Sequence, residues 1–147
     1  MGQLDGRSVV ITGASSGIGH AIAQRFLDEG ARLTLGSRSE PTIAGEGVRW
    51  VRTDVSVPDD ADALIAAAAG AGPIDVLINN AGVQVEKTVP ETSDAEFDRI
   101  IDVNVRGVFN CARAAIGVMR THGGGSIINI GSTAASNADH GMAMYNA

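Results

Sequence analysis

Cysteine occurs once, at Cys111, so no disulfide can close within the chain. That residue falls inside a helical pattern, where a packed thiol is the ordinary role, and a reducing, cytoplasmic setting is expected. No apolar run approaches the ~20 residues needed to span a bilayer. The opening segment Met1-Gly2-Gln3-Leu4-Asp5 has no basic n-region of a secretory leader, so a soluble protein is expected, without a membrane partner. A basic cluster is also missing. Eleven basic against seventeen acidic residues give a formal charge of −6, which argues against nucleic acid and leaves a small molecule as the expected partner. No metal site is assigned. The 147 residues are enough for one domain with a real core and too few for two of ordinary size, so residues 1–147 are read as a single unit.

What is present is alternation. Short apolar runs at 8–11, 32–35, 48–51, 75–78 and 127–130 read as five strands, and helical patterns fall at about 18–29, 58–69 and 93–120. Residues 39–47 are too rich in turn formers to assign. Strands separated by helices mean βαβ units, hence an α/β fold with a parallel sheet covered on both faces. Ser93-Asp94-Ala95-Glu96 is a capping box that starts the longest helix. Phe97, Ile100, Ile101, Val108 and Ala112 then recur at helical spacing and are expected to face the core. Asn104 falls on that same face. A buried amide needs partners, so it is either a structural hydrogen-bonder or part of a site.

The first strand feeds Thr12-Gly13-Ala14-Ser15-Ser16-Gly17-Ile18-Gly19, and an amphipathic helix follows. Gly13 permits a tight exit from the strand, Gly17 lets backbone approach a pyrophosphate, and Gly19 allows close helix–sheet packing. Phosphates would then sit at a helix N-terminus, among free N–H groups and the positive end of the dipole. The strand–turn–helix context makes the motif specific. In the NAD-binding form of this pattern an acidic residue ends the second strand and takes the ribose 2′-hydroxyl. Here that place reads Gly36-Ser37-Arg38-Ser39. Arg38 could pair with a 2′-phosphate, which favours NADP(H) over NAD(H), or it could be a solvated surface arginine; Glu40 is the residue that could reverse the preference.

These motifs, with Asp54-Val55 after the third strand, Asn79-Asn80-Ala81-Gly82 after the fourth, and Asn104, Ser132 and Tyr145 in order, resemble the short-chain dehydrogenase/reductase family along essentially the whole chain. The resemblance implies a Rossmann-type doubly wound sheet in the order 3-2-1-4-5, with the C-terminal strands missing from this sequence. It implies that Thr12, Gly13, Ser15, Ser16, Gly17, Ile18 and Gly19 cradle the cofactor, with Arg38 at the ribose. Asp54 and Val55 would meet the adenine ring, while Asn80, Ala81 and Gly82 would line the adenosine ribose and steady the sheet. Asn104, Ser132 and Tyr145 would be catalytic.

Hydride reduction of a ketone creates an alkoxide, which needs a proton donor within hydrogen-bond reach. Tyr145 would be that acid, and Ser132 would hold the same oxygen. An unperturbed tyrosine has a pKa of about 10. The family lowers it with a Lys four residues after the Tyr, which also holds the nicotinamide ribose, and this sequence ends at Ala147 before reaching that position. The expectation is therefore an NAD(P)-dependent oxidoreductase acting on a carbonyl or secondary alcohol, present here as an N-terminal piece that is inactive alone. The alternative is a non-catalytic nucleotide-binding or assembly module. His140, Gly141, Met142 and the loop 83–88 are expected to border the substrate. The resemblance further implies a homo-oligomer, dimer or tetramer, built on the long helices, and a fifth strand left at an unprotected edge.

Overall fold

The computed structural model describes residues 2–138 and 140–147; Met1, part of the opening segment read above, and Asp139 lie outside them. Five strands form one sheet: β1 (Ser8–Thr12), β2 (Arg32–Ser37), β3 (Val48–Arg52), β4 (Val76–Asn79) and β5 (Ser126–Asn129). All pairings are parallel and the order is β3-β2-β1-β4-β5, as expected. The switch lies beside β1, where the chain turns from building toward β3 to building toward β5. Parallel sheets bury both faces, and β1 obeys this, with every residue buried.

Helix α1 (Gly17–Asp28) covers one face, over a cluster that includes Val9, Ile11, Ala23, Leu33, Leu35 and Ile78. The other face carries α2 (Pro58–Ala69) and α4 (Gly107–Thr121), which pack Leu64, Ile65, Cys111 and Ala115 with Val10 and Leu77 of the sheet. Pro58 in the first turn of α2, with Asp59 and Asp60 beside it, suits the start of a helix, where the dipole favours negative charge. Residues 39–47 are irregular, yet Ile43 reaches the core.

The long helix differs from expectation in two ways. It is not continuous: α3 (Asp94–Ile101) gives way to a π-helical segment over Asp102–Arg106 before α4 begins. Its core face is also not the expected stripe. Ile100 is buried, but Phe97 is 42% exposed, and α4 turns Gly107, Asn110, Cys111, Ala115 and Met119 inward. The start of α4 lies close against the loop after β3, where a Cβ on Gly107 would come within 2.5 Å of Val55 Cγ2, and the rest of its inner face packs on alanine-rich α2. The larger Val105, Phe109 and Ile116 are left on the outside, where the Arg113 guanidinium sits 5.1 Å from the Phe109 ring centre. The capping box at Ser93 forms as read, and a second one at Thr88 and Glu91 opens a short 3₁₀ turn before it. β5 ends the sheet, with Ile128 and Ile130 exposed. Among the described residues no helix is long and apolar enough to cross a membrane.

Candidate active site

The C-terminal ends of the parallel strands open into a cleft of about 340 Å³. Gly13, Ser15, Ser16 and Ile18 line it from the first turn, Arg38 from the end of β2, Asp54 and Val55 from the end of β3, and Asn80, Ala81 and Gly82 from the end of β4. Two ties, joining buried Thr12 to half-buried Asn80 and Ala81, hold these turns together. The Thr12 hydroxyl accepts the backbone N–H groups of Asn80 and Ala81 at 3.0 and 3.1 Å. Asn80 returns the contact, its Nδ2 donating to the carbonyls of Thr12 and Gly13 at 3.1 and 3.3 Å. Thr12 is 1% exposed and does not line the cleft, so its part is to fix the turns rather than to face a ligand.

The three glycines do three jobs. Gly13 has φ +68°, and a Cβ there would lie 2.8 Å from Ala81 Cα. At Gly19 an added Cβ would collide with the Gly13 carbonyl and the Asn80 amide, so only glycine lets α1 approach the β4 turn. Gly17 has φ +55° and nothing within 4 Å of where its Cβ would stand. That open space lies at the N-terminus of α1, where unpaired N–H groups and the dipole attract anions. The cradle fits a pyrophosphate: backbone frames the open space on glycines, with the hydroxyls of Ser15 and Ser16 on the cleft wall.

At the far end of the cleft the Ser56 hydroxyl donates to Asp54 Oδ1 at 2.6 Å, and the Ser56 N–H at 3.0 Å. The hydroxyl bond does most to hold the Asp54 carboxyl below its usual pKa; partial burial opposes this, and the Ser56 N–H and the charges of Arg38 and Arg52 assist. Asp54 therefore faces the cleft ionised at neutral pH. Arg38 is exposed on the rim, and the backbone beside it is pinned by the Ser37 hydroxyl donating to the Ser39 carbonyl at 2.7 Å.

Asn104 sits in the π segment, and its side chain is spent on backbone: Oδ1 accepts the Val83 N–H at 2.8 Å, and Nδ2 donates to the Val83 carbonyl at 2.9 Å. These two bonds clamp the loop after β4. Ser132 is exposed and caps a 3₁₀ turn over Thr133–Ala135, its Oγ accepting the Ala134 N–H at 3.1 Å, which leaves the hydroxyl proton free to be donated. Tyr145 is half-buried in the short helix α5 (Ala143–Asn146), which packs against that turn and against α3. Met142 forms a parallel bridge with Lys87, so the two segments expected to border a substrate do meet.

Sequence reasoning missed Asn110. It is 2% exposed, and its Nδ2 donates to the Val55 carbonyl at 3.0 Å, tying the wall of the cleft to α4. Its place on one helical face with Gly107 was the available signal, hidden by the larger apolar residues nearby. Val103, from the π segment, also lines the cleft.

The family model described as short chain dehydrogenase matches residues 7–147. An uncharacterized oxidoreductase of Mycobacterium bovis is 38% identical over 98% of this chain and 62% of its own length. The NADP-dependent (R)-specific alcohol dehydrogenase of Lentilactobacillus kefiri is 35% identical over 99% of this chain and 62% of that protein. Among solved structures, a 3-ketoacyl-(acyl-carrier-protein) reductase from Brucella melitensis, complexed with NADH, superposes with a TM-score of 0.93 at 35% identity, over 98% of this chain and 64% of that one. The chain thus spans less than two thirds of the length of these relatives. With its sheet order, its glycine turn and this match over nearly all of its residues, the chain belongs to the short-chain dehydrogenase family.

Proposed function

We propose that the cleft binds a nicotinamide dinucleotide, NADP(H) in preference to NAD(H), and that the protein interconverts a carbonyl and a secondary alcohol. One observation carries the reading: a cleft at the C-terminal ends of parallel strands, with open space held above Gly17 at a helix N-terminus and Arg38 on its rim. Ser15, Ser16 and the N–H groups at the start of α1 would hold the pyrophosphate. Arg38 would pair with a 2′-phosphate, its planar fork matching the oxygens. Asp54 and Val55 would take the adenine, with Asn80, Ala81 and Gly82 along the ribose. Relatives differ on this point, one being NADP-dependent by name and another complexed with NADH, so the preference rests on Arg38 and not on kinship.

A bound nicotinamide supplies or accepts the hydride. Tyr145 donates a proton to the oxygen that gains charge, and Ser132 donates a hydrogen bond to the same oxygen. Asn104 acts by holding the loop at Val83. The Lys that would lower the phenol pKa lies beyond Ala147 in the family pattern, so the 147 residues alone are expected to bind nucleotide with little turnover, and a longer chain carrying the Lys to do both. A binding or assembly module would leave Ser132 and Tyr145 without use. The exposed Val105, Phe109 and Ile116 support association of copies through the long helices.

Calorimetric titration with NADPH and NADH tests the preference. Wild type should bind NADPH more tightly, and Arg38→Ala should lose about tenfold in NADPH affinity, consistent with about 1.5 kcal/mol for a charge-assisted bond, with NADH unchanged. Equal affinities in wild type would overturn the reading.

A further inference from the structure

Tyr145 lies in a helix of four residues, too short to persist in water by itself. Within it, the N–H groups of Tyr145 and Asn146 both donate to the Met142 carbonyl, at 3.0 and 2.9 Å. Everything else that places the segment comes from outside. Met142 bridges to Lys87 through backbone, and α5 rests on α3. The Lys87 ammonium meets Glu96 Oε1 at 2.7 Å. Glu96 is in turn fixed to the start of α3: its Oε2 accepts the N–H and the hydroxyl of Ser93, both at 2.9 Å, and its own N–H donates to Ser93 Oγ at 3.3 Å. A carboxylate anchored in the first turn of α3 therefore grips an ammonium whose backbone is paired to Met142, the residue that organises α5.

We infer that Lys87 and Glu96 are positioning residues for Tyr145, holding α5 in place through the Lys87–Met142 bridge. Its catalytic meaning rests on the proposed proton donation by Tyr145; its structural meaning does not. Lys87 is also the sole lysine in the sequence, so no second ammonium can stand in for it. With side chains 43% and 30% exposed, the Lys87–Glu96 pair adds little to global stability. Its loss is felt locally, at the Lys87–Met142 bridge that places the start of α5.

The chain contains one tyrosine and one tryptophan, Tyr145 in α5 against α3 and Trp50 on β3 at an edge of the sheet, so each reports on its own region. With tyrosine labelled by ring carbon-13, the 147-residue chain should give one signal, displaced from its position in urea. Lys87→Met and Glu96→Gln should each move that signal at least halfway to the unfolded position, and Lys87→Arg should restore it, while Trp50 emission and its urea midpoint stay as in wild type. A wild-type signal already at the unfolded position, an unmoved signal in both variants, failure of Lys87→Arg to restore it, or a signal that moves only together with Trp50 overturns the inference. In a chain extended past Ala147, Lys87→Met should lower kcat by about tenfold or more, with KM for NADPH unchanged, since misplacement of a reacting group acts on the chemical step. Should Tyr145→Phe leave activity in that chain intact while the tyrosine signal behaves as expected, the proposed chemistry fails and the positioning stands.

Discussion

The two ends of the site are built to different standards. Around the glycine turn, two segments distant in sequence are locked around buried Thr12: it holds the turn of Asn80 and Ala81, Asn80 holds Thr12 and Gly13, and glycines bring backbones together. Around Ser132 and Tyr145 most residues are exposed or half-buried, the helix is four residues long, and the ties include a half-buried ion pair and one isolated bridge. A buried polar tie costs its full desolvation when broken, whereas an exposed pair costs little. The end proposed for the nucleotide is thus fixed by the fold itself, and the end that carries Ser132 and Tyr145 depends on local supports.

The largest break in that comparison comes from the glycines. Gly19→Val forces a side chain into the Gly13 carbonyl and the Asn80 amide and should destabilise the fold by roughly 3 kcal/mol or more, seen as a lower urea midpoint of Trp50 emission. Gly17→Val should stay folded, losing about 1–2 kcal/mol to its left-handed backbone, yet bind no dinucleotide in calorimetry, because its side chain fills the space meant for phosphate. Nucleotide binding by folded Gly17→Val would show that turn to be only structural.

Thr12→Val comes next. The swap keeps the shape but leaves the N–H groups of Asn80 and Ala81 without their acceptor, at about 1–3 kcal/mol for each buried donor. Removing the hydroxyl from Ser132, which caps an exposed turn, should cost under about 1 kcal/mol on the same urea curve, in line with the low end for caps. Similar losses at both positions would erase the contrast.

The smallest effect is that of acid. Glu96 is lowered to about 2 from 4.5, chiefly by the Lys87 hydrogen bond, and Asp54 is lowered by its bond from Ser56. Depressed carboxyl groups lend stability that is fully present above their unfolded values and lost as pH falls through the folded ones. The urea midpoint of Trp50 should therefore hold from neutral pH and fall in acid chiefly through Asp54, below about 3.8. Glu96 acts locally: the Tyr145 carbon-13 signal should move toward its unfolded position as pH falls from about 4.5 toward 2 in wild type and lose that pH dependence in Glu96→Gln, and the same acid dependence in the variant would show that the carboxylate does not hold α5.

Much of this was legible in the sequence because the signals were local. Alternating apolar runs and helical patterns gave the βαβ units, the family resemblance implied the strand order, and Ser93 with Glu96 marked the helix start that forms. The long helix was less legible. Its stripe of Phe97, Val108 and Ala112 looked like a core face, but the face of α4 that packs on α2 is turned from it, so Asn110, Cys111, Ala115 and Met119 go inward. The π segment that presents Asn104 to Val83 was also hidden, since it depends on a partner loop distant in sequence. Arg38 could be placed on the cleft rim from its distance past the glycine turn, while Lys87, tied to Met142 and Glu96, carried no motif at all.

The most direct test of this account joins binding and turnover in one sample of the 147-residue chain, titrated with NADPH by calorimetry and then followed for loss of NADPH absorbance over a panel of ketones. The account predicts saturable binding with little or no reduction. Absent binding in a folded chain, or turnover as fast as that of a chain extended past Ala147, would contradict it.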